Sequence, residues 1–320
     1  MSILQHYLIF TVNLLIKQSF PFHLMSKYSI KELAQLSGIK AHTIRIWEKR
    51  YQVITPKRTA SNIRYYSDED LKRILNIAIL YNHGYKISNI VALTQKALTH
   101  EIKEVSQQES NYNTHIDQLS IAMVDMDEML FESLLNDYIN QFGFDNTVLS
   151  IIYPFLEKIG ILWLSNNISP IQEHFISNLI RQKFIVAIDN LSPVNEADRK
   201  KVILFLPPEE LHELGLLYCN YMLRNMGYRT IYLGQHVPLA DLETCIKKVQ
   251  PEYLVTISSV STSENWSVEF FTLFSRKFPT SHLYISGRNF ANSTLKTPEN
   301  IHLFYSTHEL KKIFEANLRC

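Results

Sequence analysis

The spacing of apolar residues changes once along this chain, near Lys201, and that change limits the folds open to it. Ahead of it, over 116–191, apolar residues recur every three or four positions, the period of amphipathic helices. Beyond it, short runs rich in β-branched and aromatic residues alternate with helical stretches. These runs lie at 202–206, 230–234, 253–258, 282–286 and 301–305. Five strands separated by helices predict a doubly wound, parallel five-stranded, Rossmann-like sheet, because parallel neighbours need a crossover. The fold class expected is therefore multidomain, helical first and α/β last. In open sheets of this kind, ligands bind at the carboxyl ends of the strands. Directly after the first run stands Glu210-Leu211-His212-Glu213-Leu214-Gly215, with a helix expected over 214–225. His212 can offer one ring nitrogen to a metal at that edge. Glu210 can orient the imidazole from behind, and Gly215 permits close approach of a bulky ligand.

The helical part divides further. Ser29 reads as an N-cap and Glu32, three residues on, completes a capping box. Gly38 follows the helix as a left-handed stop. A second helix over 40–51 turns Ile44 and Trp47 inward, and two short helices about a glycine turn make a helix-turn-helix. Residues 53–66 read as a small β-wing. Ser67-Asp68-Glu69-Asp70 caps a third helix over 71–82, and Ser88 opens a short one ending near 98. The polar stretch 99–115 is expected to be a linker. Residues 116–191 predict a four-helix bundle with breaks at Gly143, Asn166-Asn167 and Pro170; 190–200 is a second linker, and 201–320 the sheet domain. Residues 1–25 are apolar but interrupted by Gln5, His6, Asn13, Lys17 and Gln18. They lack the clean apolar span of a membrane helix and the pattern of a secretory leader. The reading preferred is a start assigned too early, with Met25 as the natural one; a loosely packed extension and a membrane anchor are the alternatives.

Charge is uneven. The chain carries a formal net charge of +1, yet eleven Lys or Arg face five Asp or Glu between Ser26 and Leu75, against 21 and 26 in the remainder. A basic first module on a mildly acidic remainder suits a nucleic-acid reader joined to a sensor. Cys219, Cys245 and Cys320 have neither disulfide nor zinc spacing and fit a reduced cytoplasm. No nucleophile–base pair, phosphate loop or zinc cluster is legible, so the chain is not expected to be an enzyme.

The order Tyr28-Ser29-Ile30-Lys31-Glu32-Leu33-Ala34, Gly38-Ile39, Thr43-Ile44-Arg45-Ile46-Trp47-Glu48, Arg64-Tyr65-Tyr66-Ser67 closely resembles the MerR family of winged-helix transcription regulators. The resemblance implies double-stranded operator DNA as a partner. His42, Thr43 and Arg45 head the recognition helix and would meet base edges. Arg45, Arg58, Arg64 and Tyr66 stand at the family's backbone-contacting positions. Such regulators act as dimers or higher oligomers on near-palindromic sites.

The acid-x-His-x-x-Gly run resembles the cobalamin-binding motif, in which the histidine is the lower axial ligand of cobalt; that role falls on His212. Ser258-Ser259-Val260 and Ser286-Gly287 resemble the Ser-x-Leu and Gly-Gly elements that grip the nucleotide tail. Val260 replaces Leu, and Ser286 replaces the first Gly. Trp163, followed after nine residues by Glu173-His174, resembles the upper-face motif of photoreceptor regulators of the CarH and LitR type. There the Trp covers the adenosyl group on cobalt. In those light sensors a His follows the Trp; here Leu164 stands in its place. The implied protein is a cytoplasmic repressor, a homo-oligomer (dimer or tetramer), with adenosylcobalamin held between bundle and sheet domain and light as one route to release of DNA. Two other readings stay open: a regulator with a degenerate, cobalamin-free sensor domain, and a corrinoid carrier subunit of a methyltransferase, against which the winged helix argues.

Overall fold

A computed structural model describes residues 27–59, 61–108, 112–164, 170–191, 199–258, 264–287 and 297–318. The expectations for 1–25, for the break at Asn166-Asn167 and for Ser259 and Val260 lie outside the described residues, as does most of the second linker. The chain divides into two compact units, Met1–Ser177 and Asn178–Cys320. No helix among the described residues is long and apolar enough to cross a membrane.

The first unit begins with α1 (Ile30–Ser37) and α2 (Ala41–Tyr51). Both arms of the capping box are made: Glu32 N–H donates to Ser29 Oγ at 3.3 Å, and Ser29 N–H donates to Glu32 Oε2 at 2.6 Å. Together they satisfy two of the donors a helix start leaves open. Gly38 ends α1 at φ +71, where a side chain would be strained. A two-stranded wing follows, β1 (Lys57–Arg58) antiparallel to β2 (Arg64–Tyr65). Tyr28 and Tyr66 bridge it to the segment just ahead of α1 through reciprocal backbone hydrogen bonds of 2.9 and 2.8 Å. Ser67 and Asp70 then form a second capping box at α3 (Asp68–Asn82).

α3 is buried nearly all round, from Leu71 through Leu80. One side packs on α1. The other packs on the first bundle helix, where Lys72 Nζ meets Asp125 at 2.5 Å. Two shorter expectations need correction. The helix expected from Ser88 to 98 is two helices, α4 (Ile87–Ala92) and α5 (Gln95–Gln108). The expected linker is therefore helical as far as Gln108. Its polar residues are good helix formers, and Leu98, Ile102 and Val105, spaced three and four apart, are buried.

The bundle has four long helices: α6 (Tyr112–Val124), α7 (Glu128–Phe142), α9 (Tyr153–Leu164) and α10 (Pro170–Asp189). Gly143 breaks the second from a short α8 (Phe144–Thr147), which runs through a π-helical turn, Val148–Ile152, into α9. Within it, Asp117 of α6 accepts from Lys158 of α9 at 2.5 Å. Asp117 is buried, and burial holds its carboxyl above the usual range although Lys158 pulls the other way.

The second unit is the sheet. β3 (Lys201–Phe205), β4 (Arg229–Gly234), β5 (Tyr253–Ile257), β6 (His282–Ser286) and β7 (Ile301–Leu303) are all parallel, in the order β4-β3-β5-β6-β7. Alternate side chains of one strand enter different cores. Val202 and Leu204 pack with α11 (Leu214–Asn225) and α14 (Thr307–Asn317); Ile203 and Phe205 pack with α12 (Leu239–Val249) and α13 (Glu264–Lys277). Both faces being covered, the strands read as unbroken apolar runs rather than alternating ones. Each fully buried Leu, Ile or Phe contributes about 1.5–3 kcal/mol. The order reverses direction between β3 and β5, and the carboxyl ends of those two strands flank the switch point where open sheets bind ligands.

Candidate functional site

Two surfaces collect the residues singled out by the sequence. The first lies on the winged helix. α2 buries Ile44 and Trp47, and Trp47 meets Tyr81 edge-on at 4.9 Å. The opposite face is left in water, with His42, Arg45 and Lys49 exposed and Thr43 half-buried at the helix start. Arg64 is exposed on the wing. Arg45 and Arg64 both lie close enough to Tyr66 to act on its hydroxyl. Recognition helix and wing therefore present their cations from one region.

Two residues differ from expectation. Tyr66 is not positioned to touch a phosphate: it is wholly buried, and its hydroxyl donates to Glu48 Oε2 at 2.9 Å. It therefore locks wing to recognition helix instead. Burial first, then Glu48, pushes its hydroxyl well above the ordinary tyrosine range. Arg58 is exposed, but its guanidinium donates to the Asn62 side chain at 2.7 Å and to the Asn62 carbonyl at 3.3 Å. Asn62 turns the wing at φ +65, so Arg58 serves the turn before it serves any phosphate.

The second surface is the carboxyl edge of the sheet. His212 follows β3 with 82% of its side chain exposed, whereas Glu210 is wholly buried. One oxygen of Glu210 accepts from both the His212 backbone N–H, at 3.0 Å, and ring Nδ1, at 2.7 Å. With Nδ1 held by the carboxylate, Nε2 is the nitrogen a metal would take, in a fixed ring orientation. The adjoining loop is pinned as well. Gln235 Nε2 donates to the Leu211 carbonyl at 2.5 Å, and Glu209 N–H donates to His236 Nδ1 at 2.9 Å. Glu209 and His236 both hold positive φ, +69 and +52. Such strain persists only where surroundings over-determine it.

Sequence reasoning missed Glu213. Its side chain is 8% exposed and accepts from Arg181 Nε at 2.5 Å and Tyr232 hydroxyl at 2.9 Å. Burial, then Glu213, raises the Tyr232 hydroxyl far above its ordinary value. Glu213 thus anchors the residue after His212 to β4 and α10. An acidic residue opening a helix reads as a surface group in sequence; only the converging Tyr232 and Arg181 mark it otherwise.

Gly215 also lies close against the sheet. A Cβ there would stand 3.0 Å from Ile257 Cδ1 of strand β5. Gly287 is the close crossing: its φ is +156, and a Cβ would fall 1.9 Å from the Ser258 carbonyl oxygen. Ser258 N–H donates to the Ser286 carbonyl at 2.8 Å, stitching the ends of β5 and β6. Beside that crossing, Ser258 Oγ and Thr256 Oγ1 are buried without a hydrogen-bond partner among the described residues. Buried hydroxyls left unpaired are costly and uncommon. Glu173 and His174 lie in the first turn of α10, on the first unit, with His174 Nδ1 2.9 Å from Glu173 Oε2 and Ser177 donating to Glu173 at 2.7 Å. Trp163 belongs to the last turn of α9.

This arrangement fits a corrinoid. Among the described residues no group of three His, Cys, Asp or Glu could chelate a bare ion. A corrinoid brings its own equatorial nitrogens and needs one protein donor, which His212 is shaped to be. The hydroxyls of Thr256 and Ser258, without a partner among the described residues, are donors that a polar tail could use, and Gly287 lacks a side chain because the Ser258 carbonyl crosses there.

Comparison with known proteins agrees. Residues 28–97 match the family model of the MerR HTH family regulatory protein, and residues 115–187 match the B12 binding domain. The chain joins a MerR helix-turn-helix domain to a B12-binding domain. The HTH-type transcriptional repressor CarH of Myxococcus xanthus is 28% identical over 249 residues, covering 74% of this chain and 81% of the relative. CarA of the same organism, also an HTH-type transcriptional repressor, is 27% identical over 233 residues, with 72% and 76% covered. The HTH-type transcriptional regulator MlrA of Escherichia coli is 35% identical over 69 residues, 22% of this chain and 28% of the relative. Among solved structures, the monomethylamine corrinoid protein of Methanosarcina barkeri aligns with a TM-score of 0.52 at 14% identity, covering 63% of this chain and 98% of that one. That likeness is one of fold. The MerR domain carries the basic face of α2 and the wing; the matched B12-binding segment carries Trp163, Glu173, His174 and Arg181.

Proposed function

We propose that this chain is a DNA-binding transcription repressor whose hold on its operator responds to cobalamin. The observation that carries the reading is His212, exposed at the carboxyl edge of the sheet with its ring fixed by a buried glutamate, in a chain that begins with a MerR domain. His212 would take the cobalt, oriented by Glu210. Ser258, Ser286 and Gly287 would receive the nucleotide tail, and Trp163, Glu173 and His174 would cover the opposite face. When bound in its adenosyl form, the corrinoid supplies a cobalt–carbon bond that light can break. His42, Thr43, Arg45 and Arg64 would contact operator DNA in a cytoplasmic homo-oligomer, with Tyr66 and Arg58 holding the wing in place.

The chain's own residues offer a means of response. A ligand moves an equilibrium only through contacts that differ between two states. Within the second unit Glu213 ties the ligand loop to Arg181, and within the first unit α6 packs against α3.

The test is His212→Ala in the full-length protein, mixed with adenosylcobalamin in the dark and passed through a sizing column. The variant should emerge without corrinoid absorbance while its apo form binds operator DNA as wild type does. Equal corrinoid retention by both proteins would refute the ligand assignment. A wild-type protein that retains none would favour the cobalamin-free alternative.

A further inference from the structure

We propose that Ile46 reads the 5-methyl group of a thymine in the operator's major groove. The inference rests on the DNA-binding reading above and adds the base feature that the recognition helix selects.

α2 buries Ile44 and Trp47. At 3.6 residues per turn the opposite face is then made by His42, Arg45, Ile46 and Lys49, and all four are exposed. Three of them suit a polyanion. Ile46 does not, yet it leaves 48% of its surface in water. A lone exposed aliphatic residue usually needs no explanation. This one stands among the cations of the one helix whose outer face must meet DNA.

The chemistry of the groove narrows what it could meet. Phosphates and sugars offer a branched alkyl chain nothing comparable to what they offer a cation. Base edges in the major groove present donors, acceptors and a single apolar group, the thymine C5 methyl. Ile46 is the sixth of the eleven residues of α2, at its midpoint, one position after Arg45 and one turn beyond His42 on the same face. Its β-branched side chain has little χ1 freedom in a helix, so ordering it against a methyl group costs little entropy. The other exposed isoleucine of this domain, Ile63, is 64% exposed but sits on the wing between Asn62 and Arg64. A wing at the backbone or minor groove meets no thymine methyl, so Ile63 is not a second candidate for this role.

Deoxyuridine differs from thymidine by that methyl group alone, which makes the test direct. Duplexes selected from a random pool by the full-length wild-type protein would be resynthesised with each thymine replaced in turn by uracil. Affinities would be measured for wild type and Ile46→Ala, the melting temperature of the variant serving as the control for folding. One thymine per half-site should matter, its uracil form binding wild type about fourfold more weakly, the worth of one buried methyl. Ile46→Ala should lose a comparable factor on the thymine duplex and show no further loss with uracil. Sequence-selective binding in which no uracil matters, or in which the uracil penalty persists in Ile46→Ala, overturns the inference and leaves the DNA-binding reading standing. If the wild type selects no duplex, that reading fails and the inference falls with it.

Discussion

Gly287→Ala probes the crossing of the β5 and β6 ends that shapes the sheet's carboxyl edge. The new Cβ would stand 1.9 Å from the Ser258 carbonyl oxygen and 2.8 Å from its carbonyl carbon. Close carbon–oxygen contacts lie at about 3.3 Å, so something must move by more than an ångström. The obstacle is backbone, not the end of a flexible side chain. Ser258 cannot swing aside freely, because its N–H is bound to the Ser286 carbonyl at 2.8 Å. Breaking that bond costs about 1 kcal/mol, and the strained backbone adds roughly 1–3 kcal/mol. The second unit should therefore lose about 2–4 kcal/mol. With a urea slope of about 2–3 kcal/mol/M, its midpoint should fall by roughly 1 M. Far-UV circular dichroism of the full chain, read as two transitions for two units, gives the measurement. The first unit's transition should stay in place. A second-unit midpoint within roughly 0.2 M of wild type would refute the crossing, since no such clash could then exist. The corrinoid should also bind more weakly, because the substitution displaces Ser258 at the end of β5.

Two further outcomes are expected. Lys158→Met should destabilise the first unit at pH 7 by about 3 kcal/mol, since it leaves the buried Asp117 carboxylate unpaired. Asp117→Leu combined with Lys158→Met should restore or exceed wild-type stability, because burial already outweighs the lysine at Asp117; urea midpoints that fail to recover in the double variant would contradict this. The second outcome concerns alkali. The hydroxyls of Tyr66, Tyr138, Tyr228 and Tyr232 are all raised, burial being the first cause in each. A group whose folded pKa is raised contributes stability that is complete below its unfolded value, near 10, and is lost as pH climbs towards the folded one. Stability should therefore hold to about pH 10 and fall above it, these tyrosines ionising only as the chain unfolds. Smooth ionisation of all 17 tyrosines at 295 nm without loss of circular dichroism would exclude that account.

Local chemistry was legible wherever it acts over a few residues. Ser29 with Glu32 and Ser67 with Asp70 announce helix starts because a capping box is made by residues three apart. The five strands and the helix Leu214–Asn225 follow from period and composition. The Glu210–His212 pair was readable for the same reason, two residues apart after a strand. The polar stretch near Gln107 misled because polarity alone does not separate a coil from a helix with one apolar stripe.

The sequence by itself determined the order of domains, the parallel sheet, the basic reading face and the histidine at the sheet's edge, since each is written in neighbours or in a short period. Tertiary structure alone decided that Tyr66 is buried against Glu48, that Gly215 meets Ile257, that Gly287 clears the Ser258 carbonyl, and that Glu213 is held by Arg181 and Tyr232. Those partners stand 18 to 42 residues apart in the chain, across turns whose geometry no local pattern specifies. Whether a tyrosine faces water or a carboxylate is buried depends on what the rest of the fold brings to it.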